Sequence, residues 1–439
     1  MKQTEEYFRV KDWLEDFSKK RGEPIWMRNL RLDAFDYFYK LPPSPTDPEL
    51  NLDTLIKSLE SGKPAVDNIK DLSREALEQL EKLGLSEEEK QVLSGTSLSI
   101  DNAMISSNLS QQLRKRGVII DSTDEAVKKY DWMKNYMFRV LDYKKSRLAA
   151  LHAAFWSGGV TIRVPRGVKI HYPVNSFFLI VTEGIGQTEH SIVIAEEDSV
   201  LHFTEGCIAP TVAKYSVHLG GNEIFVGKNA FVKATALQNW IGKVHHRPVK
   251  ATCVEEGGKL NEISITLGGV STVARPVVHL TGEEANATLQ SISLVDKDRE
   301  VHGGGIIIHE APKTSSEIIN RSVVKDNGYE AFYGRIWVKK NAEYSLGHMA
   351  CNSYLLNSGA KSFATPELLT EADEVTLSHE AAVGKIGKEK LFYLQSMGFT
   401  EEESLALVVN GFFDPVLKDV PFEYLIEVRK VIDLALKGA

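Results

Sequence analysis

Ile224-Phe225-Val226-Gly227-Lys228-Asn229-Ala230-Phe231-Val232 sets a turn between two three-residue runs of strand-forming side chains. Such runs are too short for helices, and Gly and Asn between them supply turn chemistry. The same texture extends outward in both directions. Val160-Thr161-Ile162-Arg163-Val164, Phe177-Phe178-Leu179-Ile180-Val181 and Ser191-Ile192-Val193-Ile194 are further examples. It begins at Ser157-Gly158-Gly159 and continues to about Glu374 without a long helical pattern. Sandwich, barrel and parallel β-helix all fit such a run. A β-helix stacks short coils so that each covers the apolar face of the next. No strict repeat period is present, so periodicity leaves the three open.

The flanks read differently. Tyr7, Val10, Trp13, Leu14 and Phe17 recur at helical spacing, and Pro42, Pro43, Pro45 and Pro48 then impose an extended linker. Ser73 to Leu83 is helical by composition. Asp124 to Phe155 carries helical spacing through Trp132, Tyr136, Val140 and Tyr143. After Glu374 a helix is predicted from Lys388 to Met397, ended by Gly398. Thr400 and Glu403 form a capping box for the next, which should end near Gly411; a last helix runs from Pro421 to Leu436. The expected organisation is a mostly helical domain over 1–150, a β core over 151–375 and a helical domain over 376–439.

The 439 residues are 43% hydrophobic and 26% charged, ordinary for a globular protein, with a formal net charge of −8 and no basic stripe. That argues against nucleic acid as a partner. The N-terminal segment has no signal-peptide core and no apolar run approaches a bilayer's thickness, so no membrane partner is expected. Three cysteines without a Cys-x-x-Cys pair argue against a disulfide scaffold and fit a reducing cytoplasm.

Thiolate, imidazole and carboxylate are the side chains that bind iron and carry sulfur. Cys253 has Lys250 and Arg247 nearby in sequence, which favour a thiolate, and Glu255 and Glu256, which oppose it. Cys351 follows Gly347-His348-Met349-Ala350. His379 and Glu380 are adjacent, so on a strand they face opposite ways. By residue type alone each cysteine reads as a small buried side chain, His379 as a satisfied structural histidine and Glu380 as a solvated carboxylate. Cys207 shows no partner and reads as structural; the His245-His246 pair reads as incidental. His302-Gly303-Gly304-Gly305 lacks the Gly-x-Ser-x-Gly elbow of a lipase and reads as a turn cluster. No Gly-x-x-x-x-Gly-Lys-Ser/Thr motif occurs, so ATP chemistry would have to come from a partner.

Several segments resemble one family. Pro24-Ile25-Trp26-Met27, Gln238-Asn239-Trp240, His379-Glu380-Ala381 and Asn410-Gly411-Phe412 together are similar to the SufB/SufD proteins of SUF-type iron–sulfur cluster assembly. The resemblance implies a mainly β fold, a central right-handed parallel β-helix between helical domains. Glu380 stands where SufD-like chains usually carry glycine, and Cys351 where SufB keeps a cysteine, so the likeness is to the SufB branch. It implies sulfur entry at Cys253 from a sulfur-donor protein, and a transient iron–sulfur cluster near Cys351 with His379 and Glu380 as candidate ligands. It also implies docking of a SufC-like ABC ATPase on the C-terminal helices and pairing as a homodimer or with a SufD-like paralogue. The chain would then be an assembly scaffold in the cytoplasm, not an enzyme; the alternative is a SufD-like structural partner that holds no cluster. Ser378 departs from the glutamate common in SufB. Two matched cysteines cannot supply four thiolates, which points to a site shared between two chains.

Overall fold

A computed structural model describes residues 2–48, 51–60, 74, 77, 78, 95–209, 216–240, 242–420 and 422–436. Most of the 73–83 segment read as helical lies outside them. The centre is a parallel β-solenoid of about 8 turns between N-terminal and C-terminal helices. Its coils build one ten-stranded and one thirteen-stranded sheet. Residues 224–232 form one coil corner: Gly221–Val226 lies in the thirteen-stranded sheet and Phe231–Trp240 in the other. Phe231–Trp240 pairs in parallel with Val200–Ala209 on one side and Lys259–Gly268 on the other.

The corners explain why no repeat period is visible. Asp198, Asn229, Gly257, Glu284, Lys313 and Tyr344 all adopt positive φ at the same corner of successive coils. Each donates its N–H to a carbonyl of the following coil, as Asn229 does to Glu256 at 2.8 Å and Gly257 to Glu283 at 2.9 Å. Their spacings are 31, 28, 27, 29 and 31 residues. A one-residue change in coil length destroys exact periodicity without disturbing the register of the stacked strands.

Both faces of most coils are buried. Val232, Ala234, Phe203 and Leu260 point into the solenoid. Their neighbours Leu237, Ile208 and Ile265 point outward and are covered by Val409, Phe413 and Val416 of the C-terminal helices. On the thirteen-stranded sheet, Ile192, Ile194 and Ala251 are covered by the N-terminal helices. Burial on both faces produces continuous apolar strands instead of alternation. The helices Lys2–Lys20 and Ile25–Lys40 are held to Arg147–Phe155 through buried Arg31, which donates to Glu23 and to the carbonyls of Ala154 and Trp156 at 2.7–2.9 Å.

Four expectations are corrected. The segment 124–155 is not one helical run: Thr123–Lys129 is a helix, Asp131–Asn135 a 3-10 turn and Arg147–Phe155 a second helix. Between them the Glu223 carboxylate accepts the N–H groups of Phe138, Val140 and Leu141 at 2.5–2.9 Å, which withdraws them from helical bonding. The helix begun by the Thr400/Glu403 capping box does not end near Gly411 but runs to Leu417, through Pro415. Burial of Phe413, Val416 and Leu417 on the sheet offsets the one lost hydrogen bond. His302-Gly303-Gly304-Gly305 is inside the strand Glu300–His309. Gly304, at φ +125, is indispensable there because a Cβ would lie 1.8 Å from the Tyr333 carbonyl oxygen. Finally, the solenoid continues through a strand at Thr376–Lys385, so His379 and Glu380 belong to its last coil and not to the C-terminal helices. No helix among the described residues is long and apolar enough to cross a membrane.

Candidate functional site

The strand Leu346–Leu355 lies between Ser315–Val324 and the terminal strand Thr376–Lys385. Strand alternation turns Met349, Cys351 and Ser353 inward, leaving Cys351 2% exposed. His379 is opposite Met349 and Ala381 opposite Cys351. The Cys351 sulfur therefore sits 3.5 Å from His379 Nε2 and 3.7 Å from the carbonyl oxygen of Glu380. Burial, reinforced by the Glu330 and Glu380 carboxylates, pushes the Cys351 thiol up to about 11. A cation binding at the sulfur would displace that proton. Glu330 is buried beneath, accepting from Asn320 at 3.2 Å, Ser362 at 2.5 Å and Ser353 at 3.5 Å. Burial pushes its carboxyl above the ordinary range against those hydrogen bonds.

Among the described residues, Thr376–Lys385 and Lys361–Thr370 are paired on one side only. The solenoid thus ends in an open coil, with Phe363 and Val383 exposed on it.

Cys253 is elsewhere. It lies on Val249–Val254 in register between Phe225 and His279, on the outer face of the thirteen-stranded sheet. Its sulfur is 3.3 Å from Thr281 Oγ1. Sequence proximity to Lys250 and Arg247 does not become spatial contact. Lys250 points inward to Glu205 at 3.2 Å, and Arg247 donates to the carbonyls of Thr46 and Ser271. Burial pushes the Cys253 thiol up, and Glu255 and Glu310 add to this against Thr281 and Arg139.

Cys207, which shows no partner in the sequence, has several in the fold. It points into the solenoid opposite Gln238 and is fully buried, 3.7 Å from Glu205. Burial, with Glu205 and Glu189, pushes its thiol well up. Its sulfur, Glu189 and His218 offer ligand atoms all within 4.8 Å of one another. Nor is His246 incidental, for it is buried against His218. Nearby, burial would push Glu205 up, but Lys250 and the Asn222 amide hold it below the usual range. A narrow interior cavity lined by Gln238, Lys250, Glu262, Gln290, Asn320 and Glu330 extends from this cluster toward the Cys351 end. One signal could have revealed the grouping: Cys207 and Gln238, like His218 and His246, are one coil apart.

Residues 178–412 match the family model described as the SUF system FeS cluster assembly SufBD core domain. An iron–sulfur cluster assembly SufBD family protein of Pyrococcus horikoshii is 34% identical over 98% of this chain and 97% of its own length. A protein of the same description from Staphylococcus aureus strain USA300 is 32% identical over 97% of this chain and 92% of its own length. The chain belongs to the SufBD family of the SUF iron–sulfur cluster assembly system.

Proposed function

We propose that this SufBD-family chain is a scaffold on which a nascent iron–sulfur cluster is built at the open end of the solenoid, with Cys351 as thiolate ligand. The observation that carries this is the 3.5 Å approach of the Cys351 sulfur to His379 Nε2 on an uncovered terminal coil. Sulfur and imidazole nitrogen are both ligands for iron, whereas the Glu380 side chain, next along the strand, projects from the opposite face and brings only its backbone carbonyl to the sulfur. One coil cannot complete the set. The free edges of Thr376–Lys385 and Lys361–Thr370 are suited to pairing with a second copy or a paralogue, which would bring further ligands across the junction.

The ATPase partner is assigned to the C-terminal hairpin. Phe392, Tyr393, Met397 and Phe399 are exposed around the turn between Lys388–Ser396 and Glu401–Leu417. A SufC-like ATPase seated there would supply the nucleotide energy that this chain has no loop to harvest. Closure of two ATPases would pull on two hairpins and open the junction between solenoids to sulfur and iron.

Sulfur entry at Cys253 is one reading. The acceptor thiolate attacks the outer sulfur of a donor persulfide, and the donor thiolate leaves. The interior position of Cys207 favours a second, in which Cys207 accepts the sulfur. Cys207 shares the solenoid interior with the cavity that leads toward Cys351, whereas Cys253 faces outward. Persulfide labelling after reaction with a sulfur donor separates them: label lost in Cys207→Ser and kept in Cys253→Ser selects the second.

The scaffold reading is tested by anaerobic reconstitution with iron and sulfide, alone and with the ATPase, followed by visible and Mössbauer spectra. A cluster that forms in the wild type and fails in Cys351→Ser supports it. No cluster under any condition, with ATPase binding intact, assigns the chain to the SufD-like structural role.

A further inference from the structure

We infer that Glu189, Cys207 and His218 form a binding site for a single divalent transition-metal ion, inside the solenoid and separate from the Cys351 end. The three side chains are at most 2% exposed, and each directs a ligand atom at one small volume. Sulfur, imidazole nitrogen and carboxylate oxygen make a mixed donor set that suits Fe(II), Zn(II) or Co(II) and leaves a fourth position open.

A second observation points to an ion. His218 Nε2 lies 2.6 Å from Glu189 Oε1, yet the pair does not have hydrogen-bond alignment. Neither Glu189 oxygen nor His218 Nε2 has a hydrogen-bond partner among the described residues, although both side chains are buried. Orphaned buried polar atoms are costly, and a shared cation would satisfy all three. The alternative of a bare histidine–carboxylate ion pair would leave the second Glu189 oxygen unexplained.

The surroundings fit a ligating histidine. His218 Nδ1 is 2.9 Å from His246 Nδ1, so one of the two donates. With His218 Nε2 on a metal, His218 Nδ1 carries the proton and His246 accepts it, the outer partner that metal-bound imidazoles usually have. The Trp240 ring is 4.8 Å from the His218 ring and helps fix its plane. Gly220 keeps the volume clear, since a Cβ there would lie 2.4 Å from Glu189 Oε1 and 2.7 Å from His218 Cε1.

The inference does not depend on the scaffold reading, because it is read from metal binding alone. The test is anaerobic titration of the metal-free full chain with Co(II). One equivalent should bind with a thiolate-to-cobalt charge-transfer band, retained in Cys351→Ser and Cys253→Ser and lost in Cys207→Ser. Glu189→Gln should weaken binding with the fold unchanged by circular dichroism, and serves in place of Cys207→Ser if that variant does not fold. His246→Gln should keep the band but bind about 10–100-fold more weakly. Competition with Zn(II) and Fe(II) then separates a resident ion, which survives dialysis against chelator, from one in transit, which exchanges; both outcomes support the site. No charge-transfer band, or a band that survives both Cys207→Ser and Glu189→Gln, overturns it.

Discussion

The two ends of the solenoid are built from the same coil and finished in opposite ways. Toward the N-terminal end the strand His190–Ala195, paired with Val160–Val164 on one side and Gly221–Val226 on the other, is buried along its whole length. Its outward residues are covered by helices, and even its polar groups are matched. His190 lies between His152 at 2.9 Å and Glu223 at 3.2 Å, and Glu223 in turn holds three backbone N–H groups. At the C-terminal end, Thr376–Lys385 is mostly exposed and its outer edge is unpaired among the described residues. The closed end holds the His190 ring and the Glu223 carboxylate with groups from within the chain. The open end leaves main-chain edges, apolar side chains and the exposed His379 uncovered, with Cys351 buried behind it. In a stacked fold only the terminal coil has this freedom, because every other coil is covered by its neighbours.

The largest effect expected at the open end is loss of cluster formation in Cys351→Ser, with an unchanged thermal melt, since the sulfur is replaced by a similar small group. Anaerobic reconstitution beside differential scanning fluorimetry checks both halves. Next in size is disruption of pairing. Phe363→Lys with Val383→Lys puts two cations on the free face and should convert a dimer or paralogue complex to monomer in light scattering; a complex that persists would place the junction elsewhere.

The closed end should answer to pH instead. Burial pushes Glu223 up to about 7 and His190 down to about 3. A carboxyl raised in the fold contributes stability that is lost as pH rises from about 4.5 to 7. A histidine depressed in the fold contributes stability that is lost as pH falls from about 6.5 to 3. The two slopes oppose one another, so the wild type should be nearly flat between them. Glu223→Gln leaves the depressed histidines, His152 beside His190 among them, without that opposing slope, and its melting temperature should fall on acidification by at most about 2–4 °C per pH unit more than the wild type's. A profile no steeper than the wild type's would show that Glu223 is not held protonated. The smallest effect is at the hairpin. Thr400 Oγ1 accepts from the Glu403 N–H at 3.1 Å, and Glu403 answers at 2.8 Å. Thr400→Ala should cost about 1 kcal/mol locally, visible as faster hydrogen exchange in Glu401–Leu417 and weaker ATPase binding, with the solenoid melt unmoved.

Much of the fold was legible. The capping box, the Gly398 stop and the short strands around Gly227–Ala230 are local signals, and each was readable from a few residues. The Cys351–His379 pairing was anticipated only through resemblance, because nothing in either residue's immediate neighbours announces it. The neighbours of Cys207 were hidden for a related reason. Its partners Glu189, His218 and Gln238 are 11 to 31 residues away, and coils of 27 to 31 residues blur the spacing that would align them. Cys253 erred in the other direction: flanking charges looked like neighbours, but strand alternation sends Lys250 inward and Cys253 outward.

What the chain's sequence determined by itself is therefore the local grammar: strand, turn and cap, each set by steric preference and short-range hydrogen bonding. Tertiary structure alone decided which side chains meet inside the stack, and which coil is left uncovered. Both depend on register between segments about thirty residues apart, and that register is chosen by burial of two faces at once.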